Sequence, residues 1–393
     1  MQLGTDTHAF LDGRPAGQQP DWHDRERLRH VREELATTPG LVSPADTAGF
    51  RELLAEVAAG RAHVVQAGDC AEDPAESTAD YVARKIGLLD VLAGTMRMRT
   101  DKPVVRVGRI AGQYTKPRSQ PTETVAGVEL PVYRGHMVNG PEPDPALRRA
   151  DPERMLDCHR SATRVLDHLG WLRPDRDWRS APYVWTSHEA LLLDWEVPLL
   201  RRDDQGRLHL SSTHWPWIGN RTNRIDGAHV ALLAAVTNPV ACKVGPEMTV
   251  DELVALCAAL DPGREPGRLT LISRMGAQAV AERLPELVRA VRAAGHPVIW
   301  LCDPMHGNTV RTAEGLKTRY VESVLWEVEQ FQSAVAAANG VPGGLHLEVT
   351  ADAVTECVAD ASLAHQVGEK YTSLCDPRLN PAQSAAVVAA WRS

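Results

Sequence analysis

No run of apolar residues in this chain approaches the ~20 that a membrane-spanning helix needs, so no membrane span is expected. Residues 1–20 have neither a basic start nor an apolar core, which argues against a secretory leader. Cysteine lacks paired spacing: seven residues, an odd number, fit a reducing compartment better than a disulfide framework. Positive charge is in deficit. Lys and Arg total 43 against 51 Asp and Glu, and the formal charge of −8 argues against a general nucleic-acid binder while leaving room for a local basic pocket. Glycine (29) and proline (27) are scattered rather than massed, which removes collagen-like and low-complexity readings. No repeat with a period of about 20 to 50 residues is visible. The expectation is a soluble cytoplasmic enzyme with no nucleic-acid or membrane partner.

What is present is an alternation of short apolar runs with amphipathic stretches. The runs at 62–66, 103–110, 182–185, 213–218, 240–244, 269–273, 297–302 and 345–349 are mostly apolar throughout, as strands covered on both faces are. Helical periodicity is clearest at 81–93, 228–236, 250–260, 280–294 and 321–337. Thr249 with Glu252 marks one helix start, and Gly295 before Pro297 marks one stop. Eight strands interleaved with helices predict an α/β fold, a (β/α)8 TIM barrel, with a doubly wound sheet as the rival. Residues 1–60 are expected as a helical extension packed on a catalytic barrel of residues 61–393. Its helices should run over 24–36 and from Ser43-Pro44 toward Gly60. Residues 111–181 read as a long polar loop after the second strand, followed by a helix at 152–168; loops of this length are more often functional than idle.

Polar residues collect at the carboxyl ends of these strands, the face on which barrel enzymes build their sites. One set is cationic: Arg109, Lys116, Arg118, Arg221, Lys243 and Arg274. Cations at buried strand ends are costly unless they meet an anion, so phosphate and carboxylate groups are the expected ligands. A second set, Cys70, His306, Glu348 and Asp376, offers one thiolate, one imidazole and two carboxylates, which suit a divalent ion such as Mn, Co, Fe or Zn. No short ligand spacing supports that set, and Cys70 could equally be a buried small hydrophobe.

The motifs resemble a known family. Gly-Asp-Cys-Ala-Glu at 68–72, Arg-Ile-Ala-Gly-Gln-Tyr at 109–114, Lys-Pro-Arg-Ser at 116–119, Cys-Asp-Pro-Met-His-Gly-Asn-Thr at 302–309 and Cys-Asp-Pro-Arg-Leu-Asn at 375–380 are similar to those of the class II 3-deoxy-D-arabino-heptulosonate 7-phosphate (DAHP) synthases. Lys-Val-Gly-Pro at 243–246, Arg-Met-Gly-Ala at 274–277 and Leu-His-Leu-Glu at 345–348 fit as well. The resemblance runs from about Trp22 to Trp391, and residues 212–217 and 365–367 look like the short form found in phenazine gene clusters. It implies a (β/α)8 barrel that joins phosphoenolpyruvate to erythrose 4-phosphate with release of phosphate, at the entry to the shikimate pathway. It also implies one divalent metal, Mn2+ or Co2+ with Zn2+ or Fe2+ as alternatives, on Cys70, His306, Glu348 and Asp376. Arg109, Lys116, Arg221, Lys243 and Arg274 would bind phosphoenolpyruvate, and Lys116, Pro117, Arg118 and Ser119 the aldehyde phosphate. Lys116, His306, Asn220 and Glu189 would carry the catalysis. The substrates would be small phosphorylated molecules, and a homo-oligomer, dimer or larger, is expected.

Two positions depart from the family pattern. Asn220 stands where a Glu is usual, and His136 where an Asp is usual. The departures allow two alternatives: a related enzyme with a different aldehyde acceptor, such as an amino- or imino-sugar phosphate, or a weakly active paralogue with a regulatory or assembly role.

Overall fold

The computed structural model describes residues 10–125, 127–173, 176–179 and 183–393. Pro182, the expected start of the third strand, lies outside the described residues. So do Ala181, at the expected end of the long loop, and residues 1–9 of the expected extension.

Eight strands close into a barrel: β1 (His63–Gly68), β2 (Val104–Arg109), β3 (Trp185–Glu189), β4 (Trp215–Ile218), β5 (Val240–Val244), β6 (Leu269–Ser273), β7 (Ile299–Cys302) and β8 (Pro342–Glu348). Their order around the barrel follows the chain, and β8 returns to pair in parallel with β1, from Val64 opposite Gly344 to Gly68 opposite Glu348. That last pairing is what a doubly wound sheet lacks. Gly344 permits it: at φ +144°, any side chain there would collide with the Val64 carbonyl. β5, β6 and β7 are buried at every residue, which explains why they show no alternation in the sequence.

The helices are α1 (Arg25–Thr37), α2 (Pro44–Ala58), α3 (Ala79–Thr100), α4 (Glu153–His168), α5 (Ala228–Ala235), α6 (Val250–Leu260), α7 (Val280–Ala293), α8 (Val321–Ala337) and α9 (Pro381–Ala389), besides one short turn at Leu193–Glu196. Local chemistry sets their ends. At α6 the Thr249 side chain accepts from the Glu252 N–H while Glu252 reaches back to Thr249, a reciprocal cap. Gly295, at φ +79°, follows the last turn of α7. Among the described residues, no helix is long and apolar enough to cross a membrane.

The chain divides into two compact units, one of residues 1–47, 71–82 and 110–238, the other of residues 48–70, 83–109 and 239–393. In the first, β3 pairs with β4, and α1 buries Leu28, Val31 and Leu35 while the Trp22 indole N–H bonds Asp194 at 2.8 Å. Two antiparallel strand pairs in this unit, 122–125 with 128–131 and 200–202 with 208–210, were not anticipated from the sequence. The first of them carries Glu123, whose carboxylate gathers Arg118 at 2.9 Å and Arg148 at 2.5 Å. The second unit holds the pairings of β1 with β2 and β8, and the run β5 to β8.

Three histidines of the first unit predict how the fold responds to acid. Burial depresses His159 and His209 to about 4 and His214 to about 3, from an ordinary 6.5. The unfolded chain therefore takes up protons near pH 6.5 that the folded chain refuses. Their contribution is complete above pH 6.5 and is lost as pH falls toward about 4, at roughly 1–3 kcal/mol each. The melting temperature should drop steadily between pH 6.5 and 4.5, with proton uptake on unfolding. A flat profile across that window would contradict the assignment.

Candidate active site and metal centre

In the second unit, the end of β1 delivers a cysteine. Gly68 has φ +154°, and a Cβ there would lie 2.7 Å from the Arg109 carbonyl, so only glycine lets the two strand ends approach this closely. Two residues later Cys70 is 1% exposed; its Sγ accepts from the Asp376 N–H at 3.3 Å and lies 3.8 Å from Asp376 Oδ2. Glu348 ends β8 and is fully buried. One ligand atom from each of Cys70, Glu348 and Asp376 falls within a common 4.8 Å. His306 stands outside that trio but touches it, with Nε2 3.1 Å from Glu348 Oε1. Three anionic-capable groups brought together in a largely buried corner, with an imidazole at their edge, fit a divalent cation.

The orientation of His306 supports the same use. Its Nδ1 is 2.8 Å from Asp303 Oδ2 and its Nε2 3.1 Å from Glu348 Oε1, so each ring nitrogen faces a carboxylate; Asp303 can hold a hydrogen on Nδ1, which would leave the Nε2 lone pair to a cation bound beside Glu348. Asp303 has no exposure. Burial alone would raise its carboxyl, but the nearby His306 and Lys243 hold it well below the usual range. Lys243 Nζ pairs with Asp303 at 2.8 Å, and burial lowers the Lys243 ammonium.

Cations surround the ligand carboxylates. Glu348 Oε1 accepts from Arg109 at 3.1 Å and Oε2 from Arg319 at 2.8 Å; Asp376 Oδ1 accepts from Lys317 at 2.7 Å. Arg319 is fully buried and also donates to Thr309 Oγ1 at 3.0 Å and to the Pro377 carbonyl. It thereby ties Glu348 to the segments carrying His306 and Asp376. A second buried arginine, Arg378, bonds Asp69 at 2.7 Å and Glu356 at 2.9 Å. Glu356 in turn receives the backbone N–H groups of Thr372, Ser373 and Arg378, which fixes the loop bearing Asp376. Arg274 donates to the His306 carbonyl at 3.2 Å. Burial pushes Glu327 up to about 8, and it accepts from Gly276 N and Asn308 Nδ2, linking the Arg274 loop to the His306 loop.

Of the residues expected from the sequence, this unit brings together Cys70, Arg109, Lys243, Arg274, His306, Glu348 and Asp376. The first unit groups the rest. Arg221 Nη2 donates to Ser119 Oγ at 2.6 Å, Lys116 is 8% exposed with its N–H on the Arg134 carbonyl, and Pro117 lies next in the chain. Arg118 is paired with Glu123 rather than presented alone. Glu189 ends β3, and its Oε1 is buried with no hydrogen-bond partner among the described residues. A side chain on Gly219, next to Asn220, would collide with that carboxylate. His136 is half-buried at 3.8 Å from Asp73, and it lines a cavity of about 400 Å³ with Arg154, Cys158 and Arg164.

The Class-II DAHP synthetase family model matches residues 7–174 and 169–390. The chain belongs to the class II DAHP synthetase family. A "Probable phospho-2-dehydro-3-deoxyheptonate aldolase" of Pseudomonas fluorescens is 55% identical over 377 residues, covering 96% of this chain and 94% of that relative. A "Phospho-2-dehydro-3-deoxyheptonate aldolase" of Streptomyces coelicolor is 40% identical over 94% of this chain and 93% of its own length. Among solved structures, the phospho-2-dehydro-3-deoxyheptonate aldolase of Francisella tularensis aligns with a TM-score of 0.57 over 92% of this chain and 95% of that one, at 13% identity, a likeness of fold.

Sequence reasoning missed Arg319, Lys317, Glu356 and Glu327 as neighbours of this candidate site. Arg378 is visible inside Cys-Asp-Pro-Arg-Leu-Asn, but nothing in that motif assigns it a role. The others sit in ordinary polar or amphipathic stretches, and only the fold carries them to the strand ends.

Proposed function

We propose that this chain condenses phosphoenolpyruvate with erythrose 4-phosphate and water to give DAHP and inorganic phosphate. The observation that carries the reading is the buried meeting of Cys70, Glu348 and Asp376 with Arg109 beside them. It combines a donor set for a divalent cation with a cation suited to an anionic substrate.

Arg109, Lys116, Arg221, Lys243 and Arg274 would hold the phosphate and carboxylate of phosphoenolpyruvate. Lys116, Pro117, Arg118 and Ser119 would hold the aldehyde phosphate; the Arg221–Ser119 hydrogen bond supports grouping these residues around one anion. A divalent ion on Cys70, His306, Glu348 and Asp376, with Mn2+ or Co2+ ahead of Zn2+ or Fe2+, would supply Lewis-acid polarisation of the aldehyde oxygen. The chain's own groups do the remaining work. Asp303 keeps the His306 hydrogen on Nδ1. Lys116 Nζ gives a proton to the aldehyde oxygen as the methylene carbon of phosphoenolpyruvate bonds to the aldehyde carbon. Water then adds at the enol carbon, with Glu189 Oε1 as the acceptor of its proton, and the hemiketal collapses to ketone and phosphate. The lack of a partner for that oxygen among the described residues supports the assignment. The fixed cations hold two mutually repelling anions in register.

Asn220 tests the reading. With Glu189 as the carboxylate of the hydration step, Asn220→Glu, alone or with His136→Asp, should change DAHP formation by less than about tenfold, 1.36 kcal/mol in barrier. Erythrose 4-phosphate should also be the best acceptor in a panel of phosphorylated aldehydes. A larger rise in the variants, or preference for an amino-sugar phosphate, would reject it.

A further inference from the structure

We propose that His346 is a positioning residue that holds the Arg109 guanidinium in its substrate-binding orientation, with Gln66 fixing the ring. The inference rests on Arg109 being a phosphoenolpyruvate-binding cation.

The geometry begins with strand register. β1 and β8 run side by side with Gln66 opposite His346 and Gly68 opposite Glu348, and Gly68 also pairs with Arg109 on β2. Residues two apart share a face, so Gln66 and His346 lie one step below the metal-ligand level on the same face. Both are fully buried. His346 Nε2 is 2.6 Å from Arg109 Nη1, and Nδ1 is 2.6 Å from Gln66 Oε1.

These contacts fix the tautomer. Arginine has no acceptor, so Nε2 must present its lone pair to Arg109. A neutral ring then carries its hydrogen on Nδ1, and the Gln66 group facing it must be the amide oxygen. Gln66 therefore orients the ring, and the ring orients Arg109. The guanidinium is also anchored by Nε on the Asp69 carbonyl at 3.0 Å and by Nη2 on Glu348 Oε1 at 3.1 Å. Those two draw Arg109 toward the Cys70 segment and the metal ligand. His346 sets the third direction and keeps the group from collapsing wholly onto Glu348. A carboxylate at position 346 would hold Arg109 as firmly, but it would neutralise the charge that an anionic substrate needs. A neutral imidazole positions the cation without quenching it.

The test compares variants of the metal-loaded protein. His346→Asn keeps a donor near Gln66 and removes the acceptor for Arg109. His346→Gln places an amide oxygen near the Nε2 position. The Asn variant should bind phosphoenolpyruvate at least about tenfold more weakly, with divalent-metal affinity and melting temperature little changed, and the Gln variant should recover most of the loss. An Arg109→Met control separates the two levels of the argument. If it weakens phosphoenolpyruvate while His346→Asn does not, the positioning role is wrong and the Arg109 reading stands. If Arg109→Met binds as the wild type does, both fall. Because a buried substitution can impair folding, nitrogen-15 NMR of the wild type with a diamagnetic divalent ion gives a second check. The Nδ1–H tautomer of His346 supports the inference, and the Nε2–H tautomer overturns it.

Discussion

Replacing Cys70 with Ala should weaken divalent-metal binding by at least ~100-fold and lower turnover in parallel, while the chain stays folded. The thiol occupies a corner where Glu348 and Asp376 also present ligand atoms within 4.8 Å, so its loss removes the one soft donor of the set. The cost to folding is small by comparison. Cys70 accepts a hydrogen bond from Asp376 N at 3.3 Å, and losing such a contact is worth roughly 1 kcal/mol. The Asp376 loop keeps its other ties, since Glu356 still receives three backbone N–H groups from it. Titration with Co2+ gives a readout independent of activity, because a thiolate ligand produces an intense charge-transfer absorption. The wild type should show that band and Cys70→Ala should not. Stoichiometric metal and full activity in the variant would make Cys70 a packing residue only.

Arg274→Met should weaken phosphoenolpyruvate binding about 10- to 150-fold, the equivalent of losing a charge-assisted contact of roughly 1.5–3 kcal/mol. Among the described residues its side chain makes one hydrogen bond, to the His306 carbonyl, so the melting temperature should change little. Lys243→Met should lose a comparable amount of affinity and much stability besides. Lys243 is the ion-pair partner of Asp303, which has no solvent exposure, and breaking a buried pair from one side costs about 3–5 kcal/mol. Adding Asp303→Asn to Lys243→Met should restore part of the stability but not the affinity. Calorimetry of phosphoenolpyruvate binding beside thermal melts separates the two effects. Unchanged affinity in both single variants would show that these cations serve only as structural partners.

Seven of the strands were legible because each is a short, mostly apolar run bounded by turn residues, and the ends of α6 and α7 because Thr249, Glu252 and Gly295 act locally; β3 was misplaced at 182–185, because its residues after Trp185, Thr-Ser-His-Glu, are polar and read as a loop. Barrel closure was not legible. It depends on Val64 meeting Gly344 some 280 residues along the chain, and nothing in either segment's periodicity names the other. The strand pair 122–125 and 128–131 was hidden by its polar, half-exposed composition, and with it Glu123, so the pairing of Arg118 could not be foreseen. The candidate ligands Cys70, His306, Glu348 and Asp376 stood out because each lies in a short distinctive motif. Arg319 and Lys317 did not, since a cation in a polar turn usually meets water. Their roles arise from the fold, which buries one against Glu348 and sets the other on Asp376.

The central claim is a metal-dependent condensation at the Cys70, Glu348 and Asp376 corner. The most direct measurement is phosphate release from phosphoenolpyruvate by the metal-free protein, with erythrose 4-phosphate present, as a divalent ion is titrated in. The account predicts no release without metal, full activity at one ion per chain, and one DAHP formed for each phosphate released. Release that ignores the metal, or phosphate appearing without consumption of erythrose 4-phosphate, would contradict it.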